Sequence, residues 1–149
     1  MGNINSINNF NKINFENIQE YIKSNNPNII LLNTISKDKQ KHNILNTIQI
    51  ENEETIINNL IKTDNKKKII YIYGENCNDI TIINKYIQLK KLGFNNIYIY
   101  LGGLFEWLLL QDIYGYEAFP IIKNIDDIDF LIYKPNKTTH HAVQSCLLH

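Results

Sequence analysis

The sequence predicts an α/β domain with a central, mainly parallel sheet flanked by helices. Two observations carry that prediction. Short apolar runs rich in β-branched and aromatic residues, at Ile29–Asn33, Ile69–Tyr73 and Ile97–Tyr100, read as buried strands. Segments with helical spacing alternate with them, as they do where parallel strands are joined by helical crossovers. A chain of 149 residues fits one domain with a real core.

The elements follow in order. Residues 1–12 are polar and low in complexity and are expected to form a flexible N-terminal tail. Phe15 to Lys23 places Phe15, Ile18 and Ile22 at helical spacing, with Asn14 as its cap. Pro27 then breaks the chain before the strand Ile29–Asn33. Ser36 to His42 reads as a polar loop with one helical turn, and Ile44 to Ile50 as a segment ending in a short strand. Glu53 to Lys62 is a helix that turns Ile56, Ile57, Leu60 and Ile61 inward.

The chain is organised around Ile69 to Leu110, which parses as strand, loop, helix, strand, Gly-Gly turn and helix. Gly74 to Asp79 is a turn-rich loop. Asp79 to Leu92 has helical spacing, with Ile80, Ile83 and Ile87 on one stripe and Asn78 or Asp79 as the cap. Lys90 and Lys91 suit the negative end of that helix, and Gly93 suits a left-handed stop. With Ile97–Tyr100 this makes a βαβ unit, whose connection is expected to be right-handed. Gln111 to Pro120 is a turn-rich exit punctuated by Gly115 and Pro120. Ile121 to Pro135, with Asp126, Asp127 and Asp129 among Ile and Phe, reads as an extended edge segment. Asn136 to His149 is polar and is expected to be partly disordered.

Composition removes several function classes. Fifteen basic and fifteen acidic residues balance, so no basic face for nucleic acid is implied. The run Lys66-Lys67-Lys68 stands just before a strand and reads as a solvated strand entry. Abundant Ile, Asn, Lys and Tyr are what an AT-rich genome encodes, so asparagine abundance is no sign of function. No apolar run approaches the ~18 residues of a membrane span, and the polar N-terminus has no signal-peptide core. Two cysteines, Cys77 and Cys146, suggest no disulfide framework, so a reducing, cytoplasmic location is the default.

A Tyr-ending strand, a loop, a helix, then Gly93-Phe94, Asn96-Ile97-Tyr98 and Gly102-Gly103 with Trp107 resembles a rhodanese domain. The run from Gly102 through Trp107 to Tyr114-Gly115 is most similar to rhodanese-like proteins of large DNA viruses. The resemblance implies one rhodanese-like domain over residues 13–120, with 121–149 as a C-terminal extension. It also implies a sulfurtransferase that needs no cofactor or metal. In the family the first loop residue after the Tyr-ending strand is the catalytic cysteine. The loop's N–H groups and the next helix's positive end stabilise its thiolate or persulfide, and an arginine in or after the loop serves the sulfur donor.

This sequence departs from that pattern. Gly74 stands directly after Tyr73, and the loop's cysteine is Cys77, three residues later. No arginine occurs from Gly74 to Leu92. Glu75 and Asp79 flank Cys77, and carboxylates oppose a thiolate and repel thiosulfate. A helix dipole at an exposed end is worth only ~0.3–1 kcal/mol, which one nearby carboxylate can match. Asn33 ends the strand that in the family often ends in an acidic residue, and Asn43 stands where the family often has histidine. Cys77 is therefore the candidate catalytic or persulfide-carrying residue, and Gly74, Glu75, Asn76, Asn78 and Asp79 form a candidate anion-binding loop.

Two functions follow. One is a binding module that docks a protein partner, forms a homodimer, or holds a small anion in the loop. The other is a low-activity sulfurtransferase or persulfide carrier using Cys77. Phosphatase chemistry would need an arginine several residues past the cysteine, where the chain has Ile83.

Other motifs read as structure. Gly102-Gly103 lacks the pattern of a phosphate-binding loop and is a tight strand-to-helix turn. Leu104, Phe105, Trp107 and Leu108 make a helix face for the sheet, and Tyr71, Tyr73, Tyr98 and Tyr100 alternate as sheet-face packing. His140, His141, His149 and Cys146 lack a recognised zinc spacing. The aspartates of 126–129 lack the glycine and distal glutamate of a calcium loop.

Overall fold

The computed structural model describes residues 10–123. The elements are β1 (Lys12–Ile13), α1 (Phe15–Ser24), β2 (Ile29–Asn33), a 3-10 turn (Lys37–Lys39), β3 (His42–Ile44), α2 (Ile50–Lys62), β4 (Ile69–Tyr73), α3 (Ile80–Lys91), β5 (Ile97–Tyr100), α4 (Gly103–Tyr114) and β6 (Ile121–Lys123). The main sheet has the order β1-β5-β4-β2 with every neighbouring pair parallel. β3 and β6 form a separate antiparallel pair. The α/β architecture with a parallel centre is as the alternation of elements predicts.

Side chains of a strand alternate between faces, and the sheet divides accordingly. Ile70, Ile72, Ile97 and Ile99 pack on one face with Ile57 and Leu60 of α2 and Ile82, Tyr86 and Leu89 of α3. Tyr73 and Tyr100 lie on the other face with Ile18 and Tyr21 of α1, Trp107 and Leu108 of α4, and Ile44 and Ile121 of the small sheet. Tyr71 and Tyr98 continue that face, their rings meeting edge to face at 5.9 Å. Trp107 is fully buried between Tyr100 and Phe119, and its indole N–H donates to the Pro120 carbonyl at 3.1 Å. Burying a large apolar side chain contributes about 1.5–3 kcal/mol, so these two layers hold the ends of β4 and β5 in place.

Local signals set the helix ends. Asn14 and Asn17 cap α1 reciprocally, each side chain accepting from the other's backbone N–H. Asp79 caps α3, and Gly93, with φ +100°, ends it in the left-handed region, where a side chain would be strained.

Several expectations need correction. α4 continues through Gln111–Tyr114, where a turn-rich exit is expected, and Phe105, expected on its sheet-facing side, is 43% exposed. The stripe Ile80, Ile83, Ile87 does not face the sheet: Ile80 is 59% and Ile87 43% exposed, while Ile82, Tyr86 and Leu89 are buried. Both stripes have helical spacing, and the one with Ile82, Tyr86 and Leu89 packs into the core beside Phe94. The strand expected towards Ile50 lies earlier, at His42–Ile44, because Ile121–Lys123 supplies its partner; Thr47 makes only a bridge to Leu31. From residue 10 the polar start is ordered: the Phe10 ring packs at a tilt on Tyr86 with centroids 4.4 Å apart, and Lys12–Ile13 pairs with β5, whose open edge needs a neighbour. The expectations for residues 124–149 lie outside the described residues, as do those for residues 1–9. Among the described residues no helix is long and apolar enough to cross a membrane.

Candidate functional site

The loop Gly74–Asp79 leaves β4 at the end of the parallel strands and opens onto the N-terminus of α3, where ligands of open α/β sheets bind. Its conformation is set by its own polar side chains. Asp79 turns back across the loop: one carboxylate oxygen accepts from the Glu75 N–H at 3.0 Å, and the other from the Thr81 N–H at 3.0 Å and from the Thr81 hydroxyl. Asn76 closes the outer turn, its side chain accepting from the Asn78 N–H at 2.9 Å and its carbonyl from the Asp79 N–H at 3.1 Å. Four backbone donors that could have faced an anion are thus bonded to the loop itself.

Gly74 shows how closely the carboxylate sits. A Cβ built there would lie 2.5 Å from Asp79 Oδ2 and 2.8 Å from Ile82 Cγ1. The space at the first loop position is occupied by an internal carboxylate. Burial pushes the Asp79 pKa up, but the bonds from the Glu75 N–H, the Thr81 hydroxyl and the Thr81 N–H outweigh it, with help from Lys39. The net result is a carboxyl that titrates below its usual range, and so is charged near neutral pH.

Cys77 is exposed, between half-buried Asn76 and exposed Asn78. The chain contains no arginine at any position. Lys39, on the 3-10 turn, is the cation that acts on Asp79.

Tyr73, which leads into the loop, joins a buried neutral network that also holds Asn33 and Asn43. Asn33 donates to the Asn43 side-chain oxygen at 2.6 Å and accepts from the Ile35 N–H at 2.8 Å; Asn43 donates to Gln40. The Tyr73 hydroxyl accepts from the Ile44 N–H at 3.0 Å and shares a 2.8 Å bond with Thr47. Burial pushes the Tyr73 hydroxyl far up, so it remains a neutral strut. Among the described residues no buried side-chain polar atom lacks a partner. The two asparagines thus form a bonded, uncharged pair, one at the end of β2 and the other in the middle of β3.

The loop is also fastened to α4. Leu104 and Phe105 donate their N–H groups to the carbonyls of Gly74 and Glu75, both at 2.9 Å. Gly103 allows the approach: its φ is +64°, and a Cβ there would meet the Gly74 oxygen at 2.6 Å. Tyr100 donates to Glu106 at 2.7 Å, and burial, then that carboxylate, push the tyrosine pKa far up. Phe105 and Ile80 stand partly in solvent, one after each anchor of the loop. Among the described residues no group of three or more His, Cys, Asp or Glu side chains converges as a metal site.

Comparison with known proteins agrees with this frame. The family model described as a rhodanese-like domain matches residues 14–110. The chain belongs to the rhodanese-like domain family. An Anabaena protein structure superposes with a TM-score of 0.56 at 18% identity, covering 80% of this chain and 96% of that one. A thiosulfate sulfurtransferase from Pseudomonas aeruginosa gives 0.55 at 14% identity, over 72% of this chain but only 20% of that enzyme. A yeast protein tyrosine phosphatase of the rhodanese family gives 0.53 at 10% identity, over 80% of this chain and 96% of that one. At these identities the structures share the fold alone. No curated protein matches the sequence.

Proposed function

We propose that this rhodanese-like domain is an interaction module without efficient sulfurtransferase activity, working in a reducing, cytoplasmic setting. One observation carries the reading: the Asp79 carboxylate already takes the Glu75 and Thr81 N–H groups and fills the space beside Gly74, where the family resemblance places the nucleophile. Sulfur transfer from thiosulfate needs a thiolate at the focus of such donors and a nearby cation. The thiolate attacks the outer sulfur, the S–S bond breaks, and sulfite leaves. Here the candidate sulfur is exposed beside Asp79 and Glu75, and an incoming thiosulfate dianion meets a carboxylate already bonded in the loop. The same occupancy weakens the case for a small anion in the loop and favours a protein partner.

The second reading, a persulfide carried by Cys77, is favoured by the exposure of that side chain at the mouth of the loop. The assay is sulfur transfer from thiosulfate to cyanide, comparing the natural chain with Cys77→Ser. Equal, background-level rates are expected. Turnover that disappears in Cys77→Ser would falsify the non-catalytic reading.

A further inference from the structure

The net charge of zero conceals a segregation. Residues 80–105 contain no acidic residue, and residues 92–122 contain no basic one. α3 exposes Ile80 and Ile87, with half-buried Ile83 between them, and ends in the exposed Lys90 and Lys91. Its remaining lysine, Lys85, is already paired with Glu53. The far end of α4 exposes Ile113 (62%), Tyr114 (68%) and Tyr116 (58%) beside exposed Asp112 and Glu117. The first surface is aliphatic and, away from the Asp79 cap at its start, cationic; the second is aromatic and anionic.

The two surfaces cannot meet within one molecule. The buried side chains of α3 belong to the isoleucine face of the sheet and those of α4 to the tyrosine face, so their exposed sides look away from each other. The aromatic surface is also partly fixed in advance. Tyr116 donates its hydroxyl to the Ile121 carbonyl at 2.9 Å, and the Tyr114 ring lies 6.2 Å from Phe119. Side chains already held in place lose less freedom on association.

We propose that the occupant of each surface is its counterpart on a second copy of this chain. The Ile80–Ile83–Ile87 stripe with Lys90 and Lys91 receives the Ile113–Tyr114–Tyr116 patch with Asp112 and Glu117 of another molecule. Unlike patches make a head-to-tail contact, which closes into a ring or extends as a chain. Five side chains on each surface are far fewer than the roughly 20–30 residues a side of a standard interface, so the contact is weak and depends on concentration. The proposal deepens the interaction-module reading by naming a partner. It rests on no property of the loop, so its failure leaves the reading of Gly74–Asp79 untouched.

The test is sedimentation of the full chain at protein concentrations up to about 1 mM. It is run in low salt and in ~1 M salt, where charges are screened beyond ~3 Å. Two variants are compared with the natural chain, Ile87→Asp on α3 and Tyr114→Lys at the end of α4. Both replace exposed side chains, and circular dichroism confirms their folding. The mean mass of the natural chain is expected to rise with concentration, and to rise less in high salt. Each variant alone is expected to remain a monomer, while an equimolar mixture forms a one-to-one pair and nothing larger, since each contributes one intact surface. A natural chain that stays monomeric throughout overturns the proposal. So does salt-independent association, a variant that still self-associates, or a mixture that stays monomeric.

Discussion

Replacing Asp79 by alanine removes three bonds at once: those from the Glu75 N–H, the Thr81 N–H and the Thr81 hydroxyl. Loss of a helix N-cap costs about 1 kcal/mol, within a range of 0.5–2. The Glu75 N–H is exposed enough to find water, so its lost bond adds ~0.5–1 kcal/mol. Removing a negative charge from a largely solvated helix end adds ~0.3–1 kcal/mol. The expected sum is roughly 2–3 kcal/mol. At about 2–4 °C per kcal/mol for a chain of this size, the melting temperature falls by about 4–12 °C. Asp79→Asn keeps an acceptor and loses mainly the charge, so it costs less than half as much.

The pH dependence has a definite sign. The native Asp79 pKa is depressed, so its stabilisation is complete above the unfolded-state value of about 3.9. It is lost as pH falls through the lower native value. The gap between the natural chain and Asp79→Ala in urea unfolding is therefore widest near neutral pH and narrows below about pH 4. A variant within ~0.5 kcal/mol of the natural chain near neutral pH, or a gap that widens in acid, refutes the reasoning.

Three further outcomes are expected. Gly74→Cys restores a thiol directly after Tyr73 but drives its Cβ against Asp79 and Ile82, costing about 1–3 kcal/mol by urea melts. Adding Asp79→Ala in that background relieves part of the cost, a non-additivity of at least ~0.5 kcal/mol. Tyr73→Phe leaves the Ile44 N–H and Thr47 without their buried partner and costs about 1–3 kcal/mol, read as a lower urea midpoint. Gly103→Ala puts a Cβ where φ is +64° and the Gly74 oxygen is 2.6 Å away. Its cost is about 2 kcal/mol or more in the same assay, and amide exchange in residues 74–79 speeds up as the tether to α4 loosens.

Much of the frame was legible because it rests on local signals. The apolar runs Ile69–Tyr73 and Ile97–Tyr100 are strands, Asn14 and Asp79 are caps, and Gly93 and Gly103 sit at positive φ where the punctuation falls. The buried face of α3 was not legible. In an isoleucine-rich helix two apolar stripes share one period, and only the neighbours decide which is buried. The pairing of β3 with β6 was hidden for a related reason: it joins residues about eighty apart through three-residue strands too short to carry a pattern. At the loop, the sequence exposed what was missing: Gly74 in the nucleophile's place, no arginine in or after the loop, and carboxylates beside Cys77. It did not reveal that Asp79 reaches back four residues to bond the Glu75 N–H, because a cap normally looks forward into its helix. Nor did it reveal that Asn33 and Asn43, separate departures along the chain, form one buried pair.

The most direct measurement is the intact mass of the full chain after incubation with thiosulfate, beside an active rhodanese loaded under the same conditions. A site whose Glu75 and Thr81 N–H groups are held by Asp79 leaves the mass unchanged. A gain of about 32 Da, the mass of one persulfide sulfur, that is absent from Cys77→Ser would show that the site still takes up sulfur and would contradict the silent loop.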